Sequence, residues 1–327
     1  MFAANFSEAN RVELIDIPEP ELPPRPDSGP CQIKFQPELA CLCGSDTPLF
    51  DRTDLWWPIE VGHSLHEMIG SVVETNGDRY KPGDRVLVVP ERQIGFFERY
   101  VVDETRAVPL DPRPLEEQAM LAQPLGTVLF ALKKLPNLLD LDVAIIGQGP
   151  IGQLYNAAVR NMGARNIIGI DLLDSRLELS AEMGANVTIN GSQEDVVQAV
   201  SNATDGEMAD IVIEAVGHKN HQLNQCITLC KDFGRILYFG VPPETIGGIR
   251  WRDLLCKNIT IHTSINPSFE RDFPLAMRWI AEKRVDLSKL ITHRFPVEEI
   301  QTAFETFRDR VDGAQKVMLE FPAYQQN

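Results

Sequence analysis

The amino-acid sequence predicts an α/β protein in which a doubly wound parallel sheet is inserted into a β-rich domain built from both ends of the chain. Residues 1–124 carry short β-runs broken by turns, whereas residues 125–261 alternate apolar strand candidates with amphipathic helices. A glycine-rich motif directly follows the first central strand candidate, and residues 262–327 return to mixed elements. At 327 residues the chain exceeds the usual size of one core. We therefore predict two domains, 1–124 with 262–327 and 125–261.

The terminal stretches predict a twisted, barrel-like β domain. Strand candidates in the first stretch are residues 32–35, 69–74, 85–89 and 100–102. In the last stretch, residues 297–307 place Ile300, Ala303, Phe304 and Phe307 on one helical stripe, which is typical of core packing.

The central stretch predicts six parallel strands wrapped by helices. Pro150 stands near a predicted helix start, and Gly163 and Gly184 stand just past predicted helix ends. Six such strands complete a Rossmann-type dinucleotide-binding fold. The strand candidates are residues 143–146, 167–170, 187–189, 210–213, 235–239 and 259–261.

Composition excludes several classes of partner. Lys and Arg number 31 and Asp and Glu number 47, which gives a formal net charge of −16 that repels nucleic acid and anionic lipid. No apolar run reaches the roughly 18–20 residues of a membrane helix, and the N-terminus lacks a secretory signal pattern. Six cysteines are too sparse for a disulfide scaffold. We expect a cytoplasmic protein with reduced thiols and with neither nucleic acid nor membrane as partner.

A nucleotide site is indicated where the strand 143–146 runs into a Gly-x-Gly-x-x-Gly motif and then a helix. The glycines permit a tight turn, close approach to a pyrophosphate and close helix packing, while the helix N-terminus offers free N–H groups. The candidate cofactor-binding residues are Gly147, Gly149, Pro150, Ile151, Gly152 and Asp171.

Asp171 favours NAD over NADP. It follows the next strand at about the twenty-residue offset of a ribose-binding carboxylate, which would repel a 2′-phosphate. The next residues, Leu172 and Leu173, supply no arginine to neutralise such a phosphate.

A metal site is indicated by Cys43 and Asp46 in Cys-Gly-Ser-Asp, followed by His66 and Glu67. Thiolate, imidazole and carboxylate are the donor mixture of a catalytic zinc that keeps one position open. His63, in Gly-His-Ser, is an alternative imidazole ligand, and the residues by themselves leave the choice open.

Five motifs, in this order along nearly the whole chain, resemble the zinc-dependent medium-chain dehydrogenases of the alcohol dehydrogenase superfamily, in their polyol and threonine dehydrogenase-like branch. They are residues 40–46, 66–73, 81–86, 209–217 and 290–293. The resemblance implies that the β-rich part is a GroES-like catalytic domain and that Cys43, His66 and Glu67 are the zinc ligands. It also implies that Asp46 bonds the ligand imidazole and that Ser45 begins the proton exit.

The sequence departs from the family pattern at several positions. The four-cysteine lobe of many relatives is absent after residues 81–86, so we expect one catalytic zinc and no structural zinc. Gln123 stands where relatives commonly carry Glu near the metal, and Pro48 where some place a relay histidine. Trp56 and Trp57 are candidates for lining the substrate pocket, with core or interface anchoring as an equal alternative.

These observations predict a zinc-dependent oxidoreductase that transfers a hydride between a secondary alcohol or polyol and NAD. Two alternatives stay open: a zinc-free NAD(P)H-dependent quinone or enone reductase of the same fold, and a non-catalytic nucleotide-binding protein. The strand candidate 259–261 at the predicted sheet edge, and the resemblance, indicate a homodimer or homotetramer.

Overall fold

The computed structural model describes residues 1–53, 55, 58–217 and 221–324. Its strands are β1 Phe2–Glu8, β2 Arg11–Asp16, β3 Gln32–Cys41, β4 Glu67–Thr75, β5 Arg85–Val88, β6 Tyr100–Asp103, β7 Ala107–Pro109, β8 Asp142–Ile146, β9 Asn166–Asp171, β10 Val187–Asn190, β11 Ala209–Glu214, β12 Cys230–Tyr238, β13 Thr260–Thr263, β14 Ile291–Pro296 and β15 Lys316–Glu320. Its α-helices are α1 Thr47–Asp51, α2 Glu116–Met120, α3 Ala122–Leu132, α4 Pro150–Asn161, α5 Asp174–Glu182, α6 Val196–Ala203, α7 Gln222–Leu229, α8 Trp251–Cys256, α9 Asp272–Ala281 and α10 Ile300–Asp309.

The chain divides into two compact units. Unit 1 comprises residues 1–123, 268–282 and 290–327, and unit 2 comprises residues 124–267 and 283–289. The short segment 283–289 is held to unit 2 by polar bonds: the side chain of Asn161 donates to the carbonyl of Arg284 at 2.9 Å, and Lys289 pairs with Glu182.

Unit 1 is built on a sheet of strand order β14-β15-β3-β4-β5-β7, with β6 pairing to β3 and β1 pairing to β2 in a separate hairpin. The sequence pattern missed that hairpin. In the antiparallel pairings of β3, Cys41 lies opposite Glu67 of β4 and opposite Met318 of β15. The ends of three strands that are distant in sequence therefore meet beside Cys41. The core of this unit includes Phe35, Leu65 and Phe304.

Unit 2 contains one six-stranded sheet of order β10-β9-β8-β11-β12-β13 in which all pairs are parallel. This is the doubly wound order, with the topology switching between β8 and β11. The six strand candidates of the central stretch all fall in this sheet, so the predicted fold class is confirmed. No helix in the described part of the chain is long and apolar enough to cross a membrane.

Candidate metal and nucleotide sites

Cys43, His66 and Glu67 come together in unit 1. Each offers one ligand atom, and these atoms lie within 4.8 Å of one another. The β3–β4 pairing explains the meeting, because Cys41 at the end of β3 faces Glu67 at the start of β4. Cys43 and His66 are half-buried and Glu67 is fully buried. His63, the alternative ligand in the sequence, is not part of this group.

The backbone that presents His66 is held in an unusual conformation. Leu65, directly before it, is fully buried and has φ 64°, in the left-handed region that non-glycine residues seldom occupy. A conformation of this kind costs of order 1–3 kcal/mol and persists only where its surroundings fix it. The turn into β4 is therefore specified by tertiary contacts rather than by local preference.

Asp46 has different partners from those that the family resemblance implied. Its buried carboxylate accepts a hydrogen bond from the backbone N–H of Cys43 at 2.7 Å through Oδ2. Oδ1 accepts from the hydroxyl of Ser64 and from the backbone N–H of Leu65, the latter at 3.3 Å. Among the described residues no hydrogen bond joins Asp46 to the imidazole of His66, and the expectation that it bonds that ring stays a prediction. Asp46 instead joins the two turns that carry Cys43 and His66.

Lys316 is a member of the site that the sequence analysis missed. Its ammonium donates to both carboxylate oxygens of Glu67 and, at 3.3 Å, to the carbonyl of Leu42. Only 1% of Lys316 and 0% of Glu67 is exposed. Burial raises the pKa of Glu67, while the positive charge of Lys316 opposes that shift and favours the ionised carboxylate. Burial opposes the charge of Lys316, but the neighbouring carboxylate and thiol outweigh it and raise the pKa of that lysine.

Two polar atoms of the site are left without partners. His66 Nδ1 and Ser45 Oγ are buried and find no hydrogen-bond partner within the described residues. Unsatisfied buried polar atoms are costly and call for an explanation, such as an ion or a substrate. Sulfur, nitrogen and oxygen donors grouped within 4.8 Å fit the ligand set of a zinc ion.

His63 lies outside the ligand group and bonds the backbone of Glu60. Its Nδ1 accepts the backbone N–H of Glu60 at 2.7 Å, the residue is 1% exposed, and its Nε2, like His66 Nδ1, is buried without a hydrogen-bond partner among the described residues. Burial lowers the pKa of His63. Gln123 lies at the start of α3 and is buried, whereas Trp56 and Trp57, the predicted pocket-lining residues, lie outside the described residues.

The glycine-rich turn of unit 2 has the shape of a dinucleotide cradle. Gly147, directly after β8, has φ 91°, and a Cβ on Gly152 would lie 2.0 Å from the carbonyl oxygen of Gly147. By contrast, a Cβ on Gly149 would meet nothing closer than the guanidinium of Arg176, at 3.8 Å. Open space therefore lies in front of Gly149, where α4 begins with Pro150 followed by Ile151. Such a space at a helix N-terminus fits a pyrophosphate.

Asp171 ends β9 beside this turn. Its Oδ2 accepts the N–H of Gln148 at 2.7 Å, and its Oδ1 accepts the N–H groups of Leu172 and Leu173 at 2.7 and 3.2 Å. Arg176 Nη1 lies 3.5 Å from Oδ2. An arginine of α5 thus approaches the carboxylate that the sequence analysis expects to bind the ribose, although Leu172 and Leu173 themselves supply none.

A buried network of polar side chains holds the glycine-rich turn against two helices. The side-chain oxygen of Gln148 accepts bonds from Asn156 at 2.7 Å and from Ser180 at 2.8 Å. Gln153 donates to the carbonyl of Gln148 at 2.9 Å. These bonds tie the glycine-rich turn to α4 and α5, and nothing in the motif spacing predicted them.

Comparison with known proteins agrees with this geometry. Residues 150–282 match the family model of the zinc-binding dehydrogenases. The chain is 26% identical over 348 residues to L-threonine 3-dehydrogenase of Photorhabdus laumondii, covering 95% of this chain and 96% of that protein. It is 27% identical over 352 residues to the Bacillus licheniformis enzyme of the same name, covering 95% and 99%.

Solved structures show the same architecture. The alcohol dehydrogenase of Thermus sp. ATN1 matches with a TM-score of 0.87 and 26% identity, covering 98% of this chain and 99% of that one. The 2R,3R-butanediol dehydrogenase of Bacillus subtilis has the same fold, with a TM-score of 0.83, 24% identity and coverage of 98% and 99%.

Fold, motifs and similarities together support a medium-chain dehydrogenase. Within that class they support a polyol dehydrogenase-like protein, an oxidoreductase of the zinc-type alcohol and polyol group. The family and the class of enzyme predicted from the sequence motifs are confirmed.

Proposed function

We propose that this protein transfers a hydride between a secondary alcohol or polyol and NAD, using one catalytic zinc held by Cys43, His66 and Glu67. The observation that carries the proposal is the convergence of these three ligand atoms within 4.8 Å. The unpartnered His66 Nδ1 and Ser45 Oγ support it, because both atoms suit a metal and a substrate rather than the protein interior.

The residues around the metal site have different parts in this chemistry. Zinc, when bound, supplies Lewis-acid stabilisation of negative charge on the substrate oxygen, and NAD supplies the hydride acceptor. Ser45 offers a hydroxyl with no competing partner among the described residues and would relay the substrate's hydroxyl proton outward, giving up its own proton as it receives that of the substrate. Lys316 holds the carboxylate of Glu67 in one orientation.

The nucleotide would bind to unit 2. Gly147, Gly149 and Gly152 would receive the pyrophosphate at the start of α4, and Asp171 the ribose hydroxyls. We propose NAD rather than NADP because Asp171 repels a 2′-phosphate, even though Arg176 lies 3.5 Å from it. By these assignments, unit 1 is the GroES-like catalytic domain and unit 2 the nucleotide-binding domain.

Metal analysis of purified wild-type protein and variants tests the zinc site. Wild type should contain about one zinc per chain. Cys43→Ala should lose the zinc and all turnover on an alcohol and polyol panel while keeping NAD binding, and Cys256→Ala, at an exposed cysteine, should behave as wild type. Turnover that survives Cys43→Ala or chelation would refute the proposal. Tight NAD binding without turnover in zinc-loaded wild type would instead favour a binding protein.

The histidine assignment has its own test. His66→Ala should lose zinc and His63→Ala should retain it; the reverse pattern would move the metal site to His63.

Cofactor preference is tested by steady-state kinetics with NAD and NADP. Wild type should use NAD with the higher kcat/KM, and Asp171→Ala should raise the KM for NAD. Unchanged NAD affinity in that variant, or a preference of wild type for NADP, would exclude the proposed role of Asp171.

We also propose a cytoplasmic homo-oligomer, a homodimer or homotetramer in which the edge strand β13 pairs with a second copy. Large apolar residues lie in the segments on either side of this strand: Trp251 is 64% exposed, Leu255 74% and Ile265 59%. An open edge beside apolar surface is suited to association. Light scattering should give a multiple of 36.6 kDa for wild type and a smaller mass for Trp251→Glu. A monomeric wild type would contradict this assignment.

A further inference from the structure

Ser64 is a residue of the metal-site region to which the proposed reaction gives no task. It stands two residues before His66, between His63 and Leu65. In the structure Ser64 is 0% exposed, and its hydroxyl both gives and receives hydrogen bonds. It donates to Oδ1 of Asp46 and accepts the backbone N–H of Leu65 at 2.6 Å.

Asp46, which accepts the hydrogen bond of this hydroxyl, also bonds the turn that carries Cys43. Asp46 is also 0% exposed, and its second oxygen, Oδ2, accepts the N–H of Cys43 at 2.7 Å. A single carboxylate therefore links the backbone of one proposed zinc ligand, Cys43, to the residues that precede the other, His66. We call the Ser64–Asp46 pair the clasp.

The backbone of Ser64 is also bonded to the segment around Ile94. Its carbonyl accepts the N–H of Gly95 at 3.1 Å, and Ser64 forms an isolated parallel bridge with Ile94. The following residue, Leu65, is held at φ 64°. Ser64 thus bonds the segment around Ile94 through its backbone, while its hydroxyl links the Cys43 turn and the His66 turn through Asp46.

We infer that Ser64 is a positioning residue of the metal centre, setting the separation of Cys43 and His66 through Asp46. The inference rests on the proposed function, because it concerns the metal held at that site. Ser64 touches neither metal nor substrate in this role. It acts by orienting a buried carboxylate, which in turn fixes two ligand-bearing turns.

Removing the hydroxyl has a definite consequence. In Ser64→Ala, Oδ1 of Asp46 keeps only the N–H of Leu65, at 3.3 Å, from its present pair of donors. A buried carboxylate oxygen that loses its strong donor tends to reorient, which loosens the turn of Cys43 and the strained turn at Leu65. Loss of a hydrogen bond made directly to a metal ligand typically reduces metal affinity 10- to 100-fold, and because Ser64 acts one carboxylate further out we expect a loss at the lower end of that range, about 10-fold.

The experiment measures zinc affinity of the full chain by competition with a chromophoric chelator. Ser64→Ala should weaken zinc binding about 10-fold, and the absorption spectrum of cobalt(II) in the site should change. Ser71→Ala is the matched control, since Ser71 lies on β4 and its hydroxyl bonds Glu38. That control should keep the affinity and the spectrum of wild type. A change within twofold for Ser64→Ala would overturn the inference.

A double-mutant cycle separates the clasp from a general loss of stability. If Ser64 acts through Asp46, then adding Asp46→Asn to Ser64→Ala should weaken zinc binding no further than the worse single variant. Additive losses would contradict an action through Asp46.

Two further results complete the test. If Ser64→Ala does not fold, Ser64→Thr, which keeps the hydroxyl, should bind zinc as wild type does, and a tenfold loss there would refute the inference. Wild-type protein that binds no zinc at Cys43 would remove the proposed function itself, and the inference with it. Normal zinc binding in Ser64→Ala would remove the inference alone.

Discussion

Replacing Lys316 with methionine removes the positive charge that faces Glu67 inside unit 1. Both side chains are buried, so the carboxylate would lose its charged partner without gaining water. Breaking a buried ion pair by removing one partner costs about 3–5 kcal/mol. In a domain of 150–250 residues each kcal/mol corresponds to about 2–4 °C, so chelated Lys316→Met should melt about 6–20 °C below chelated wild type.

The assay is calorimetry of wild type and variant, each with chelator and with excess zinc. Excess zinc should restore part of the lost melting temperature. The bound cation replaces the positive charge of Lys316 beside Glu67, and binding to the folded state stabilises it by mass action. Lys289→Met is the control: Lys289 pairs with Glu182 at the surface, with both side chains more than half exposed, so its removal should cost less than about 1 kcal/mol. A similarly small loss for chelated Lys316→Met would refute the assignment of Lys316 as the buried partner of Glu67.

Three more outcomes follow from individual contacts. Gly152→Ala would place a Cβ 2.0 Å from the carbonyl oxygen of Gly147. The free energy of unfolding should therefore fall by about 1–3 kcal/mol, and NAD binding, measured by fluorescence, should be lost. An NAD affinity within twofold of wild type would argue against this close packing. Both carboxylate oxygens of Glu214 accept backbone N–H groups, and Glu214→Gln replaces one of them with an amide donor. The free energy of unfolding in urea should fall by about 1–3 kcal/mol. An unchanged urea midpoint would count against these hydrogen bonds. Burial lowers the pKa of His63, so the unfolded chain binds a proton that the folded protein does not, and stability falls as pH drops through the unfolded-state pKa of about 6.5. In chelated protein His63→Gln should reduce that loss between pH 8 and pH 5.5; a slope identical to that of wild type would show that His63 does not contribute.

The sheet of unit 2 was predictable from sequence because its central strands β8, β9 and β11 are almost wholly buried and read as apolar runs. The predicted turn chemistry also agrees with the structure. Gly163 and Gly184 have φ 84° and 116° just beyond the ends of α4 and α5. The hairpin Phe2–Asp16 was missed, since its mixed polar and apolar residues give a weaker signal than the central strands.

The candidate metal ligands were found from residue type and spacing, which are local properties of two short motifs. Their surroundings could not be found that way. Lys316 lies 249 residues from Glu67 in sequence, and only the pairing of β15 and β4 with β3 brings them together. Arg176 approaches Asp171 because α5 turns back over the end of β9, a geometry that the spacing alone does not give.

By itself, therefore, the sequence determined the class of protein, the six strands of unit 2 and the residues with metal- and nucleotide-binding chemistry. The tertiary structure alone decided which groups act on those residues: Lys316 on Glu67, and Asp46 with Ser64 on the turns of Cys43 and His66. The physical reason is that donor chemistry belongs to a residue wherever it stands. A buried charge or hydrogen bond, in contrast, acquires its partner only when strand register and packing bring distant segments into contact.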